Sequence, residues 1–401
     1  MTMRPRRRTA VAVLSATLLL AAPVATAQAA SASPAPAASS ATATLELPRP
    51  TGPYSVGTEI LHLTDHGRPD PWVPEAGDRE LMVSLHYPAR AGSGSAPAPY
   101  MSTEEARLML AERGLDDVVP ASAVSSTATH ARTDATPARG RFPLVLLSPG
   151  FNTPRATLTS LAEDLASRGH VVASVDHAYE TTGTAFPGGR VLTCAACDAA
   201  EAAPDDAAER EVLRTVSTGR AADLSIVLDR LTGPRPAWEN SRMIDGQRVA
   251  AAGHSIGGSA ALSAMLTDPR FDAGIDMDGT FFEPVPAAGL GKRPFLMLGT
   301  EADHAPGGPD TSWDEGWQRL DGWKRWLTVK DSGHFTFTDT PELGEQLGLP
   351  TDPTAPLSGE RSTRITRDYV AAFLDQHLRG HHQPLLDGPT PGNPEVVFRS
   401  P

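Results

Sequence analysis

The chain has 401 residues, 40% of them hydrophobic, enough to build a sizeable core as one large α/β domain or two smaller ones. Charged residues make up 21%, and the formal net charge of −13 argues against nucleic acid, which needs a basic face to meet it.

In chain order, Arg4, Arg6, Arg7 and Arg8 precede a short apolar run, Thr9 to Ala22, and Ala27-Gln28-Ala29 offers a small-x-small cleavage site. Residues 1–29 are expected to be a secretory signal peptide cut near Ala29, since the apolar run falls short of the ~20 residues that a bilayer span requires. Residues 30–44 are rich in Ala, Ser, Pro and Thr and read as a disordered linker; residues 45–401 read as one extracellular domain. Thr58–Leu63 and Glu80–Tyr87 look like an antiparallel pair at a sheet edge. Ser102 and Glu105 form a capping-box pattern that predicts a helix through Arg113, stopped by Gly114. Val118–Arg141 shows no period and reads as loop.

Phe142–Ser148 and His170–Asp176 are continuous apolar runs, as in strands buried on both faces, with a helix over Ala156–Arg168 between them. Tyr179–Asp206 reads as loop and holds Cys194 and Cys197. In an exported chain with no second cysteine pair, that C-x-x-C spacing predicts a structural disulfide rather than a zinc or redox site. Ala207–Leu231 has helical spacing, with a break expected near Gly219. Strands follow at Arg248–Gly253, Phe271–Met277, Pro294–Gly299 and Trp326–Val329. Helices follow at Ile256–Leu266 and Ile365–Leu378. Alternating strands and helices predict an α/β fold with a mostly parallel central sheet covered by helices on both faces.

Gly253-His254-Ser255-Ile256-Gly257 places a serine between glycines where a strand meets a helix. The fit to G-x-S-x-G in this context predicts a nucleophile on a strained turn, whose flanking glycines avoid collisions with neighbouring backbone. A free serine needs a base, and the base needs an orienting carboxylate, in the chain order Ser, Asp or Glu, His. His334 follows a late strand through Asp331-Ser332-Gly333 and is the expected base. His377, His381 and His382 lie in or after the last helix and look like solvated surface. For the acid, Asp278 and Asp303 both follow strand carboxyl ends, and pattern alone slightly favours Asp303. Asp276 lies deeper in its strand. His254 is expected to be a packed elbow residue rather than a second base. The oxyanion hole is expected from the amides of Ile256 and of Phe151, in Ser148-Pro149-Gly150-Phe151-Asn152 after the first buried strand. Phe281 and Phe282 are expected either to line an acyl pocket or to fill core.

The order of these stretches resembles the plasma-type platelet-activating factor acetylhydrolases and their bacterial secreted lipase and esterase relatives, within the α/β-hydrolases. Leu47–Gly57, Phe142–Gly150, Leu165–Ala173, the Ser255 elbow and the Asp278 strand carry the likeness, which covers most of Leu47–Leu378. The resemblance implies Asp278 as the acid and leaves Asp303 as the alternative. It implies hydrolysis of carboxylic esters of the 1-alkyl-2-acetylglycerophosphocholine kind through an acyl-enzyme, with no cofactor or metal. The partners implied are an ester or phospholipid small molecule and a transient contact with a lipid surface. Pro149 departs from the animal members, which commonly carry histidine there. A secreted polyester or cutin hydrolase is the alternative enzyme; a catalytically inactive hydrolase fold used for binding is the alternative of another class.

Overall fold

The computed structural model describes residues 44–400; the expected signal peptide and nearly all of the expected linker lie outside them. The apolar alternation of the sequence becomes two strands at one side of the sheet, β1 (Ser55–Pro69) and β2 (Asp78–Ala89), paired antiparallel. The capping box is present: Glu105 N donates to Ser102 Oγ, and Glu105 Oε2 accepts from Ser102 N, starting α1 (Thr103–Glu112). The stretch expected to be loop up to Arg141 instead holds a short helix, α2 (Ala121–Ser125), and a two-residue strand, β3 (Arg132–Thr133). Elements this short have no room for a sequence period and are fixed by what they pack against.

β4 (Phe142–Ser148) and β5 (Val171–His177) are buried throughout, with α3 (Thr159–Ser167) between them after a 3-10 turn. The region 179–206 is also more ordered than expected. It contains a hairpin, β6 (Thr184–Phe186) with β7 (Arg190–Leu192), and α4 (Ala195–Glu201), whose first turn carries a Cys194–Cys197 disulfide. α5 (Asp206–Thr232) runs through Gly219 without the expected break. The roughly 1 kcal/mol that glycine costs a helix interior is outweighed by the buried contacts of Val216, Leu224, Val227, Leu228 and Leu231.

β8 (Ile244–His254) leads into α6 (Ile256–Thr267), followed by β9 (Ala273–Met277), β10 (Phe295–Thr300) and a short α7 (Glu301–His304). Then come α8 (Ser312–Arg319), β11 (Lys324–Val329), α9 (Thr340–Gln346), α10 (Gly359–Arg379) and β12 (Val396–Arg399). The ten-stranded sheet has the order β12-β11-β10-β9-β8-β4-β5-β2-β1-β3, with β4, β5, β8, β9, β10 and β11 mutually parallel. β4 shows how the layers form. Leu144 and Leu146 join the core under α5 and α6, whereas Val145 and Leu147 join the core under α3 and α10. This is the α/β-hydrolase arrangement. Among the described residues no helix is long and apolar enough to cross a membrane.

In a parallel sheet the side-chain-bearing loops that can converge are those at the carboxyl ends of neighbouring strands. Ser148, His254, Met277, Thr300 and Val329 end β4, β8, β9, β10 and β11, five strands adjacent in the sheet.

Candidate active site

Ser255 sits between β8 and α6 with φ 57° and ψ −128°, a conformation a residue with a Cβ adopts only under strain. The strain is enforced by crowding. A Cβ on Gly253 would come within 2.2 Å of Gly257 C, and one on Gly257 within 2.1 Å of Ser148 O. Elbow and sheet are therefore pressed together with only glycine able to fill the contact. Ser255 N donates to Met277 O at 2.8 Å, tying the turn to the end of β9. α6 begins at the next residue, so its first amides surround the hydroxyl with partial positive charge.

His334 lies on a 3-10 turn after β11, with its side chain 44% exposed. Its Nε2 is 2.9 Å from Ser255 Oγ and its Nδ1 is 2.6 Å from Asp278 Oδ2. Asp278, directly after β9, is itself in the left-handed region, φ 62°, and is almost wholly buried. Burial alone would raise its carboxyl, yet the hydrogen bonds from His304 and His334 carry it well below the ordinary carboxylate range. The other candidate acid, Asp303, is exposed on α7, where its Oδ2 is 3.4 Å from Thr300 Oγ1 and makes no hydrogen bond to His334. Asp276 is deeper, as its strand position predicts. Its Oδ1 accepts from Gly279 N at 2.9 Å, and burial pushes its carboxyl well above the ordinary value.

His254 is buried next to Ser255, and Nε2 lies 2.6 Å from His334 O, so it donates there. Burial, with the neighbouring His334, pushes it down to about 3 and keeps it neutral. It fastens the turn carrying His334 to the elbow, the packed role expected of it. His377 is not solvated as expected: it is half-buried, with its ring 4.4 Å from Trp323 and 4.8 Å from Phe373.

Phe151, Ser255, Ile256, Asp278 and His334 all line one cavity of about 530 Å³. Leu213 and Phe282 add apolar wall, Arg210 lies 5.3 Å from the Phe282 ring, and Phe281 is buried and does not line this cavity. The loop carrying Phe151 is held from below by a cluster that the sequence reading missed. Arg220 Nε donates to Glu180 Oε2 at 2.6 Å, and its Nη1 donates to Pro149 O at 2.5 Å. Glu180 O accepts from Asn152 N at 3.0 Å. Behind it, Arg79 bridges Glu180, Asp70 and Asp223, and His177 joins Asp223 to Ser148 Oγ. The available signal was Arg220 and Asp223 at i, i+3 on the apolar stripe of α5, where polar residues must find partners. Also missed was His304, whose Nδ1 donates to Asp278 Oδ1 at 2.9 Å. Among the described residues no group of three His, Cys, Asp or Glu is placed to hold a metal ion.

Comparison with known proteins follows the same lines. The sequence profile of the family described as platelet-activating factor acetylhydrolase, isoform II, matches residues 39–186. The chain is similar to a probable 1-alkyl-2-acetylglycerophosphocholine esterase of Arthroderma benhamiae, with 30% identity over 88% of this chain and 93% of that one. It is similar to the platelet-activating factor acetylhydrolase of Cavia porcellus, with 22% identity over 83% of this chain and 78% of that one. The solved structure of a ferulic acid esterase from Streptomyces cinnamoneus superimposes with a TM-score of 0.78 and 44% identity, covering 89% of this chain and all of that one. A relative that aligns along nearly its whole length and a solved esterase that shares the fold agree: the chain belongs to the platelet-activating factor acetylhydrolase isoform II family and is a carboxylic ester hydrolase.

Proposed function

We propose that Ser255 is the nucleophile of a Ser-His-Asp triad that hydrolyses short acyl esters of the acetylated phospholipid type through an acyl-enzyme. The observation that carries this is the continuous chain Ser255 Oγ, His334 Nε2, His334 Nδ1, Asp278 Oδ2, at 2.9 and 2.6 Å. His334 takes the Ser255 proton as the oxygen attacks the acyl carbonyl, then returns it to the leaving alcohol. Asp278 holds the imidazole tautomer and stabilises its cation. The amides of Phe151 and Ile256 receive the oxyanion, each donor typically worth ~3 kcal/mol in the transition state. Water, deprotonated by His334, then releases the acid. Residues 1–29 are part of the same reading as an export signal removed near Ala29, which N-terminal sequencing of the mature protein checks.

A fluorophosphonate probe should label Ser255, and Ser255→Ala should lose both label and turnover, by on the order of 10⁶ in kcat. Absence of an adduct on Ser255 would favour the inactive binding fold instead. A second reading, a hydroxycinnamoyl esterase, is favoured by the 44% identity to the ferulic acid esterase and by Phe151 and Phe282 on the cavity wall. Parallel kcat/KM values for an acetylated glycerophosphocholine and for methyl ferulate rank the two, and a polyester film serves as the third arm.

A further inference from the structure

Asp278 is held from two sides. Oδ2 faces His334, while Oδ1 accepts from Thr300 N at 2.6 Å and from His304 Nδ1 at 2.9 Å. His304 is itself immobilised. Its ring lies 4.2 Å from the Trp313 ring, and its carbonyl accepts from Trp326 Nε1 at 2.7 Å. With Nδ1 spent on Asp278, Nε2 faces Asp310 Oδ2 at 3.2 Å. We infer that His304 is a positioning residue for the hydrolysis: its imidazole, wedged between Asp278 and Asp310, holds the acid in the orientation and charge state that His334 requires. The inference rests on the triad reading above and extends it by one residue.

The charges in this corner support it. Burial alone would strip His304 of its proton, but Asp278 and Asp310 push it up to about 10, so it is a cation across the neutral range. Burial pushes Asp276, two residues before Asp278 in β9, well above the ordinary carboxylate value. The resting cluster of Asp278, Asp310 and His304 therefore carries one negative charge. When His334 takes the serine proton, the sum becomes zero. Without His304, buried Asp278 and partly buried Asp310 would lose the cation between them, which favours binding of a proton by one of the two. A protonated Asp278 could not balance the His334 cation. The other titratable groups nearby are Glu301 and Asp303, on α7 with His304, and His254, whose ring lies 4.7 Å from that of His334. Arg113 lies 5.0 Å from the adjacent Phe335 ring, and Glu301 is paired with Arg399 at 2.5 Å.

The two ends of the cluster give opposite signs, which a mere packing role would not. His304→Gln keeps a donor toward Asp278 but removes the positive charge. The acid limb of the kcat/KM profile should move up by about one pH unit. At the plateau kcat should fall about tenfold, in line with the loss of a charge-assisted hydrogen bond, with KM little changed. Asp310→Asn removes an anion while Asp278 keeps His304 charged, so its limb should move down. The experiment is the pair of pH profiles on one activated ester, using the full chain, with fluorophosphonate labelling of each variant. Opposed shifts support the inference; coincident limbs, or shifts in the same direction, overturn it. If His304→Gln does not fold, Asp310→Asn decides alone: a downward limb supports the inference, an unmoved one overturns it. Hydrolysis surviving Ser255→Ala would instead sink the triad reading, so the two failures are distinguishable.

Discussion

Two buried ionic clusters reach the Ser255 cavity from different strands, and they use different cations. Under the Phe151 loop, Arg79 and Arg220 face Asp70, Glu180 and Asp223, with Arg68 joining Asp223. Behind the acid, the cation is His304, between Asp278 and Asp310. Guanidinium groups do not titrate in the working range, and their planar fork reaches several acceptors at once. Imidazoles do titrate, and here each makes one contact per nitrogen. The Phe151 loop is thus fixed by permanent, redundant charge; the Asp278 side depends on a charge that answers to pH. On the proposed mechanism, one edge of the cavity holds two amides still, whereas the other accepts a proton and gives it back.

The contrast breaks most sharply at the acid. Asp278→Asn should lower turnover by ~10⁴, because the tautomer and the counter-charge of His334 are both lost. Asp303→Asn, at an exposed residue bonded to Thr300, should leave turnover close to wild type. Steady-state rates on one activated ester check both, and a crippled Asp303→Asn beside a healthy Asp278→Asn would overturn the assignment.

Next in size is Arg220→Met. It leaves Glu180 Oε2 and Pro149 O, both buried, without their donor. Breaking one partner of a buried ion pair costs about 3–5 kcal/mol, to be read from urea denaturation. Turnover should fall as the Phe151 amide loses its support, but the acid limb of kcat/KM should stay where it is. A shifted limb would erase the distinction between the two clusters.

Stability against pH sharpens it further. His304 is raised in the fold, so its contribution is complete below the unfolded value of about 6.5 and is lost as pH climbs through about 10. Asp223 is the reverse case. Burial would raise it, but Arg79 and His177 hold it far below the carboxylate range. Its contribution is complete above the unfolded value of about 4 and is lost only as pH falls further. Urea midpoints from pH 7 to 10 should therefore fall less steeply in His304→Gln than in wild type.

How much of this was legible in the sequence follows from which interactions are local. β4, the elbow and the Ser102 cap match their patterns closely, since a run of buried residues, a glycine-flanked turn and a capping box each complete themselves within a few positions. Ser255 and His334 could be proposed from the elbow pattern and the order serine, acid, histidine, but that order fits Asp278 and Asp303 alike; pattern by itself leaned to Asp303, and the family resemblance implied Asp278, the carboxylate that bonds His334 Nδ1. The clusters could not be read. Arg220 meets Pro149 across 71 positions and His304 meets Asp278 across 26, so their partners exist only once the sheet has assembled. The same holds for α8, whose Trp313 caps His304, and for β12, which closes the edge beside β11.

The smallest effect is expected at the disulfide. Cys194–Cys197 closes a loop of three residues' separation, which restricts the unfolded chain by only about 2 kcal/mol on the chain-entropy account. Its helix nevertheless matters to the Phe151 side of the cavity. Ala196 packs with Val216 and Ile256, and Phe151, Phe282 and Leu213 lean on the same cluster. Ala196 N also donates to Tyr179 O at 3.0 Å, adjoining Glu180. A double change, Cys194→Ala with Cys197→Ala, should lower the melting temperature by a few degrees and leave kcat nearly unchanged, because Arg220 still anchors Pro149 and Glu180. Combined with Arg220→Met, the loss in kcat should exceed the product of the separate losses, as it does when two supports of one loop are removed together. Simple multiplicativity would mean that α4 and the guanidinium cluster hold the Phe151 loop independently, and that the redundancy argued for this edge of the cavity is absent.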